Sequence, residues 1–139
     1  FRLTKAGEEL TNKPGKIFGI LTPFFLFEVN HAYYGRFEDL LLGNWEIFLN
    51  VLNLEAEDGL SAVEYAQFLY GDEPDFMSAG DAIVALYLQV LRPLCWCGLL
   101  YEHGHFGGRI AERTFIKTQL WKVALRLDTD EMVTSATRH

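Results

Sequence analysis

Four side chains of the types that bind zinc stand close together: Cys95-x-Cys97, followed by His103-x-His105. Structural zinc sites usually place about two to four residues between paired cysteines. Residues i and i+2 of a helix point roughly 200 degrees apart, so both sulfurs converge only if the helix ends before Cys97. The spacing favours cysteines that act as small buried hydrophobes and histidines on a solvated hairpin, and no metal or other cofactor is expected.

Other chemistries find less material. Asp72, Glu73 and Asp75 form an acidic loop of the kind that holds calcium, but without EF-hand spacing they read as a solvated loop before a helix cap. The three serines are Ser61, Ser78 and Ser135. The first two sit where helix caps belong, and none stands in a G-x-S-x-G elbow. No G-x-x-x-x-G-K loop occurs, and Gly104, Gly107 and Gly108 lie in a hairpin rather than between a strand and a helix. Tyr33 and Tyr34, with His31 nearby, are placed to line a pocket beside a Phe-rich segment, and packing accounts for them equally well. No enzymatic activity is expected.

The elements that must position these residues are mostly helical. The opening FRLTKAGEEL reads as the end of a strand followed by a short helix capped by Thr4. Pro14 suits the first turn of a second helix, which runs to about Val29 with Pro23 kinking it. Apolar residues surround this segment on every side from Ile17 onward, so it has almost no polar face. Trp45, Phe48, Leu49 and Leu52 repeat at the spacing of one buried helical stripe. Asp58-Gly59 marks a turn, and Ser61 with Glu64 makes a capping box for a helix to about Tyr70. Ser78 opens a long helix that reaches Cys97 and stops at Gly98. LLYEH and RIAERTFIKT flank GHFGG as a hairpin. Thr118 caps a last helix whose Leu120, Val123, Ala124 and Leu127 share the face expected in the core, and the polar tail from Asp128 ends the ordered core.

Three helices running into a two-stranded wing is the element order of a winged helix. VLRPLCWCGLLYEH followed by RTFIKT resembles the pattern in which the third helix ends at a Gly-Leu pair, a wing strand follows, and the second strand closes on a Thr. FRLTKAGEEL resembles the end of a preceding winged helix. The chain is similar to the C-terminal region of a group of uncharacterised bacterial proteins, some plasmid-borne, that carry two such units. The resemblance implies a mainly α fold: a winged-helix-like helical domain with a small β-hairpin wing. Residues 1–36 would be the end of a preceding unit plus a Phe-rich connecting helix, 37–127 the winged-helix-like domain, and 128–139 a polar tail.

Composition narrows the partners. Half of the 139 residues are apolar, enough for a core, and 12 basic against 19 acidic residues give a net charge of −7. That balance disfavours nucleic acid, which rewards a basic surface. A DNA-reading third helix also needs Arg, Lys, Asn or Gln, whereas Ala79 to Cys97 offers chiefly Asp81, Gln89 and Arg92. Arg109 and Arg113 on the wing are the candidate nucleic-acid contacts, with Glu102 and Glu112 beside them. The run from Ala82 to Tyr101 is long enough to span a bilayer, but a central Arg costs about 2.5 to 3.5 kcal/mol there, so a core helix is expected and no membrane partner. Two cysteines one residue apart fit a reducing cytoplasm. The expected function is a winged-helix-derived interaction or regulatory module. The alternative is a DNA-binding module of a larger protein, and the remote alternative is a metal-binding protein or enzyme. Phe18, Phe24, Phe25 and Phe27 point several ways around one helix and form the expected interaction surface, for a protein partner or a second copy.

Overall fold

A computed structural model describes residues 2–29, 31, 45–104 and 108–136. They fall into two compact units, residues 1–30 and 31–139. The boundary expected at residue 36 lies outside the described residues.

In the first unit, the Thr4 hydroxyl accepts from Gly7 N at 3.2 Å and opens α1 (Lys5–Leu10). The strand expected before it is absent: Arg2, Leu3 and Thr4 belong to no ladder. Pro14 starts α2 (Pro14–Pro23), as its fixed φ and missing N–H allow. At Pro23 the α ladder gives way to a π turn over Phe24–Glu28. Of the Phe-rich residues, Phe18 and Phe25 are half-buried, whereas Phe24 is 60% and Phe27 44% exposed.

The second unit begins with α3 (Trp45–Glu55), which buries Phe48, Leu49, Leu52 and Asn53 along one stripe. Gly59 then turns the chain at φ 121°, where an added Cβ would stand 2.8 Å from Thr114 Cγ2, so only glycine fits. The next residues, Leu60–Ser61, form β1, a strand the hairpin reading lacked. Its two residues pair with Phe115 and Thr114, while Ser61 also caps α4 (Ala62–Tyr70) through the expected capping box with Glu64. One serine serving both roles hides the strand from sequence.

Ser78 caps α5 (Ala79–Leu86), which runs without a break through a π turn (Tyr87–Leu91) into α6 (Arg92–Trp96). The π turn lies just before Pro93. Proline has no N–H for Gln89 and its ring would crowd that carbonyl, and Arg92 N instead reaches back five residues to Tyr87 O. Gly98, at φ 75°, closes the helix in a Schellman arrangement: Leu99 N donates to Leu94 O and Gly98 N to Cys95 O, with Leu94 and Leu99 both fully buried. Among the described residues no helix is long and apolar enough to cross a membrane.

Strands β2 (Leu100–His103) and β3 (Thr114–Lys117) form the expected hairpin, with a 3-10 turn at Ile110–Glu112 between them. The antiparallel sheet has the order β1-β3-β2, and Glu102 and Leu60 both face Phe115 in register. Phe115 is fully buried, as are Leu52, Tyr65, Leu86, Leu91 and Trp121. The Tyr65 hydroxyl satisfies itself on Phe48 O at 3.1 Å, and its burial raises its pKa well above the ordinary tyrosine value.

Two expectations at the end of the chain are corrected. In α7 (Gln119–Ala124) the buried residue is Trp121, whereas Leu120 and Val123 are exposed, because the indole N–H finds a partner inside. The polar run from Asp128 does not leave the core: α8 (Asp130–Ala136) is pinned to α3 by polar side chains. The burial pattern sets stabilities that chemical denaturation will measure. Leu91→Ala, at a site with no exposure, is expected to cost about 2 to 5 kcal/mol, and Val123→Ala, at a site 73% exposed, less than about 0.5 kcal/mol.

Candidate functional site

The structure describes some of the residues singled out by type and not others. Cys95 and Cys97 are half-buried thiols at the end of the long helix, and His103 is exposed on β2; His105 lies outside the described residues. Burial first, and then the Glu102 charge, push the Cys95 thiol up to about 12, so at neutral pH the free thiol carries its proton. Among the described residues no group of three or more His, Cys, Asp or Glu side chains is placed to hold a metal. Asp72 accepts from Gln67 Nε2 at 2.9 Å and stays exposed with Glu73 and Asp75. His31 is half-buried, and Tyr33 and Tyr34 lie outside the described residues.

Arg109 is exposed, but Arg113 is engaged within the fold. One guanidinium nitrogen donates to Glu102 Oε1 at 2.8 Å and to the Tyr87 hydroxyl at 2.5 Å, and the group stands 5.2 Å from the Tyr87 ring centre. Arg92 lies near the same Tyr87 ring, 5.9 Å from its centre, and over Trp96, 4.8 Å from that ring centre.

The densest polar assembly sits elsewhere, where α3, β3 and α7 meet. Alternation along β3 turns Phe115 and Lys117 inward together, so a lysine enters the core face, its side chain only 2% exposed. Lys117 Nζ donates to Asn53 O at 2.5 Å, stands 3.4 Å from Asn53 Oδ1 and is 2.9 Å from Glu57 Oε2. The contact with Glu57 is electrostatic rather than an aligned hydrogen bond. Trp121 Nε1 donates to Asn53 Oδ1 at 3.0 Å, and Asn53 Nδ2 donates to Thr129 Oγ1 and Asp130 Oδ1 at 2.8 and 2.9 Å. A single buried amide thus joins a helix, a strand and the two helices that follow.

Glu57 bridges outward. Its Oε1 accepts from Lys122 Nζ at 2.7 Å, and that hydrogen bond first, and then the close Lys117 ammonium, hold its carboxyl below the ordinary value of 4.5. Beside this assembly lies a cleft of about 290 Å³, lined by Asn53, Glu57, Lys117, Leu125, Asp130 and Val133 among others. The Lys117 ammonium is held by Asn53 and Glu57, so it ties β3 electrostatically to the end of α3.

Reasoning from residue type passed over these residues because none belongs to a motif. Signals did exist. Asn53 follows Trp45 and Leu49 at intervals of four, which places an amide in the buried stripe of α3. Phe115 and Lys117 share a strand face, and a buried Trp121 demands an acceptor.

The linkage at Glu57 has a definite sign. A carboxyl with a lowered pKa contributes stability that is complete above its unfolded value and lost as pH falls through its folded value. Glu57→Gln is therefore expected to lower the urea midpoint at pH ~7, and the gap from the unmodified chain is expected to shrink as pH drops below ~4.5. A gap constant with pH would place the effect of Glu57 in packing.

No curated protein and no solved structure matches the chain. Residues 35–119, by contrast, match the y4jL C-terminal domain. The matched stretch takes in α3 through β3, so Asn53, Glu57 and Lys117 fall inside it and Trp121, Lys122 and Asp130 beyond it. It covers well over half of the 139 residues, and the chain belongs to the y4jL C-terminal domain family.

Proposed function

We propose that this chain is a non-enzymatic interaction or regulatory module, built on a winged-helix frame and working on a protein partner in a reducing cytoplasm. The element order α3, β1, α4, the long helix from α5 to α6, and then β2 and β3 supports the winged-helix frame, as does the strand order β1-β3-β2. Fold alone assigns no activity, so the reading rests on the side chains.

The observation that carries it is the fate of the polar groups on the long helix. A DNA-reading winged helix lays this element in the major groove and needs its donors and acceptors outward. Gln89 is buried, Arg92 lies against Tyr87 and Trp96, and Arg113 is tied to Glu102, while Trp96 is 61% exposed. Large exposed aromatics with stacked arginines suit protein contact better than phosphate contact. Ser61 and Ser78, the serines nearest the core, are both engaged as helix caps, which supports a role without a hydroxyl nucleophile.

The Phe-rich segment supplies a further contact surface. Ile20, Leu21, Phe24 and Phe27 are each more than two-fifths exposed, an apolar exposure typical of a face that another surface covers. A second copy of the chain is the proposed partner there. Light scattering is expected to show a dimer that Phe24→Asp converts to monomer, and a monomeric unmodified chain would remove this surface from the proposal.

Fluorescence anisotropy with a labelled DNA duplex tests the module itself. No saturable binding is expected at protein concentrations up to about 10 μM, at either about 50 or about 200 mM salt. Submicromolar binding that weakens steeply with salt would favour the DNA-binding alternative, with Arg109 and Arg113 as contacts.

A further inference from the structure

Two asparagines one helical turn apart on α3 hold the start of α8. Asn53 Nδ2 donates to Thr129 Oγ1 and Asp130 Oδ1, and Asn50 Oδ1 accepts from the Thr129 hydroxyl at 2.9 Å and from Thr129 N at 3.3 Å. The pair of amides thereby reads a hydroxyl that both donates and accepts, followed by a carboxylate, at the point where a helix begins. Asp130 also accepts from Leu127 N through its other oxygen at 3.0 Å, so the same carboxylate closes the segment's own first turn.

The amides are held in position by bonds that do not involve α8. Asn50 Nδ2 donates to Glu46 O at 2.9 Å, and Asn53 Oδ1 accepts from Trp121 Nε1. A receptor whose side chains are fixed before its ligand arrives avoids much of the ordering cost of binding. The ligand segment, by contrast, keeps an outer face open to water. Leu125 leaves α7 in an extended conformation, Glu131, Met132, Thr134 and Ser135 of α8 are exposed, and Asp130, Val133 and Thr134 line the 290 Å³ cleft together with Asn53. Asn50 and Asn53 lie inside the stretch that matches the family, and Thr129 and Asp130 lie outside it.

We infer that the Asn50 and Asn53 face of α3 is a docking site for a partner protein's helix that opens on a hydroxyl residue followed by a carboxylate, and that α8 fills it in cis as a built-in competitor. The inference rests on the interaction-module reading and names the chemistry of the partner. A tethered segment competes at a high effective concentration, so docking in trans requires α8 to yield.

The test uses the full chain and a fluorescein-labelled peptide with the sequence of residues 126–136. A chain carrying Thr129→Ala and Asp130→Ala together is expected to bind this peptide at least about tenfold more tightly than the unmodified chain does, because its competitor is weakened. Adding Asn50→Ala is expected to reduce that binding, and a peptide bearing the same two alanines is expected not to bind. Equal binding to both chains, or binding of the alanine peptide, would overturn the inference. Hydrogen exchange on the unmodified chain guards against a misfolded variant: α8 amides are expected to exchange at least about tenfold faster than those of α3, and equal protection would also overturn it. If light scattering shows that the double variant and the unmodified chain pair only by exchanging α8 between copies, the occupant is a second copy and the partner helix is ruled out. DNA binding in the earlier titration would remove the module reading whatever the peptide does, whereas loss of peptide binding without DNA binding would remove only the docking site.

Discussion

Burying the ammonium of Lys117 sets the terms for the second unit. An ammonium out of water must be surrounded by acceptors, and here they come from the carbonyl and amide of Asn53 at one end and the carboxylate of Glu57 at the other. That requirement fixes the register of β3 against the end of α3, where Lys117 N also donates to Ala56 O. It also explains why Asn53 is itself buried and why its remaining amide hydrogens turn outward to the last helix. Such a polar assembly adds geometry more than stability, since apolar residues of the same size would fill the space at least as well. Its effect is to allow one arrangement of strand and helix.

The long helix that precedes the β2–β3 hairpin obeys a different constraint. Pro93 cannot donate to Gln89, and the five-residue turn that absorbs the defect lets the apolar side chains of α5, the π turn and α6 line one core. The Schellman stop at Gly98 then delivers Leu99 and Leu100 inward and starts β2. Thr118 clasps the same corner, donating to Gly98 O at 2.7 Å while capping α7. The hairpin is therefore braced at its base by two backbone motifs and between its arms by the Arg113 and Glu102 pair. Those engagements are what turn the charged groups of this face inward and leave its aromatics outward.

The same economy appears at the two ends of the chain. Thr4 and Thr118 each cap a short helix. What differs is what each helix buries. Nothing in α1 is buried, whereas α7 buries Trp121 because Asn53 offers its indole an acceptor.

Local rules in the sequence determined most of the element boundaries: the caps at Thr4, Ser61, Ser78 and Thr118, the stop at Gly98 and the hairpin around GHFGG. Each of these depends on residues a few positions apart, so the chemistry is complete within the local stretch. The tertiary structure alone decided the rest. Strand β1 is two residues long and exists only because β3 comes alongside. The choice of Trp121 over Leu120 and Val123 as the buried side of α7 depends on an acceptor 68 residues away. The docking of α8 needs Asn50 and Asn53, and the burial of Lys117 needs Asn53 and Glu57. A polar residue in an apolar stripe shows in sequence only as an exception to the pattern. Which partner satisfies it is set when the chain brings distant donors and acceptors together out of water, where an unmet hydrogen bond costs more than a misplaced methyl group.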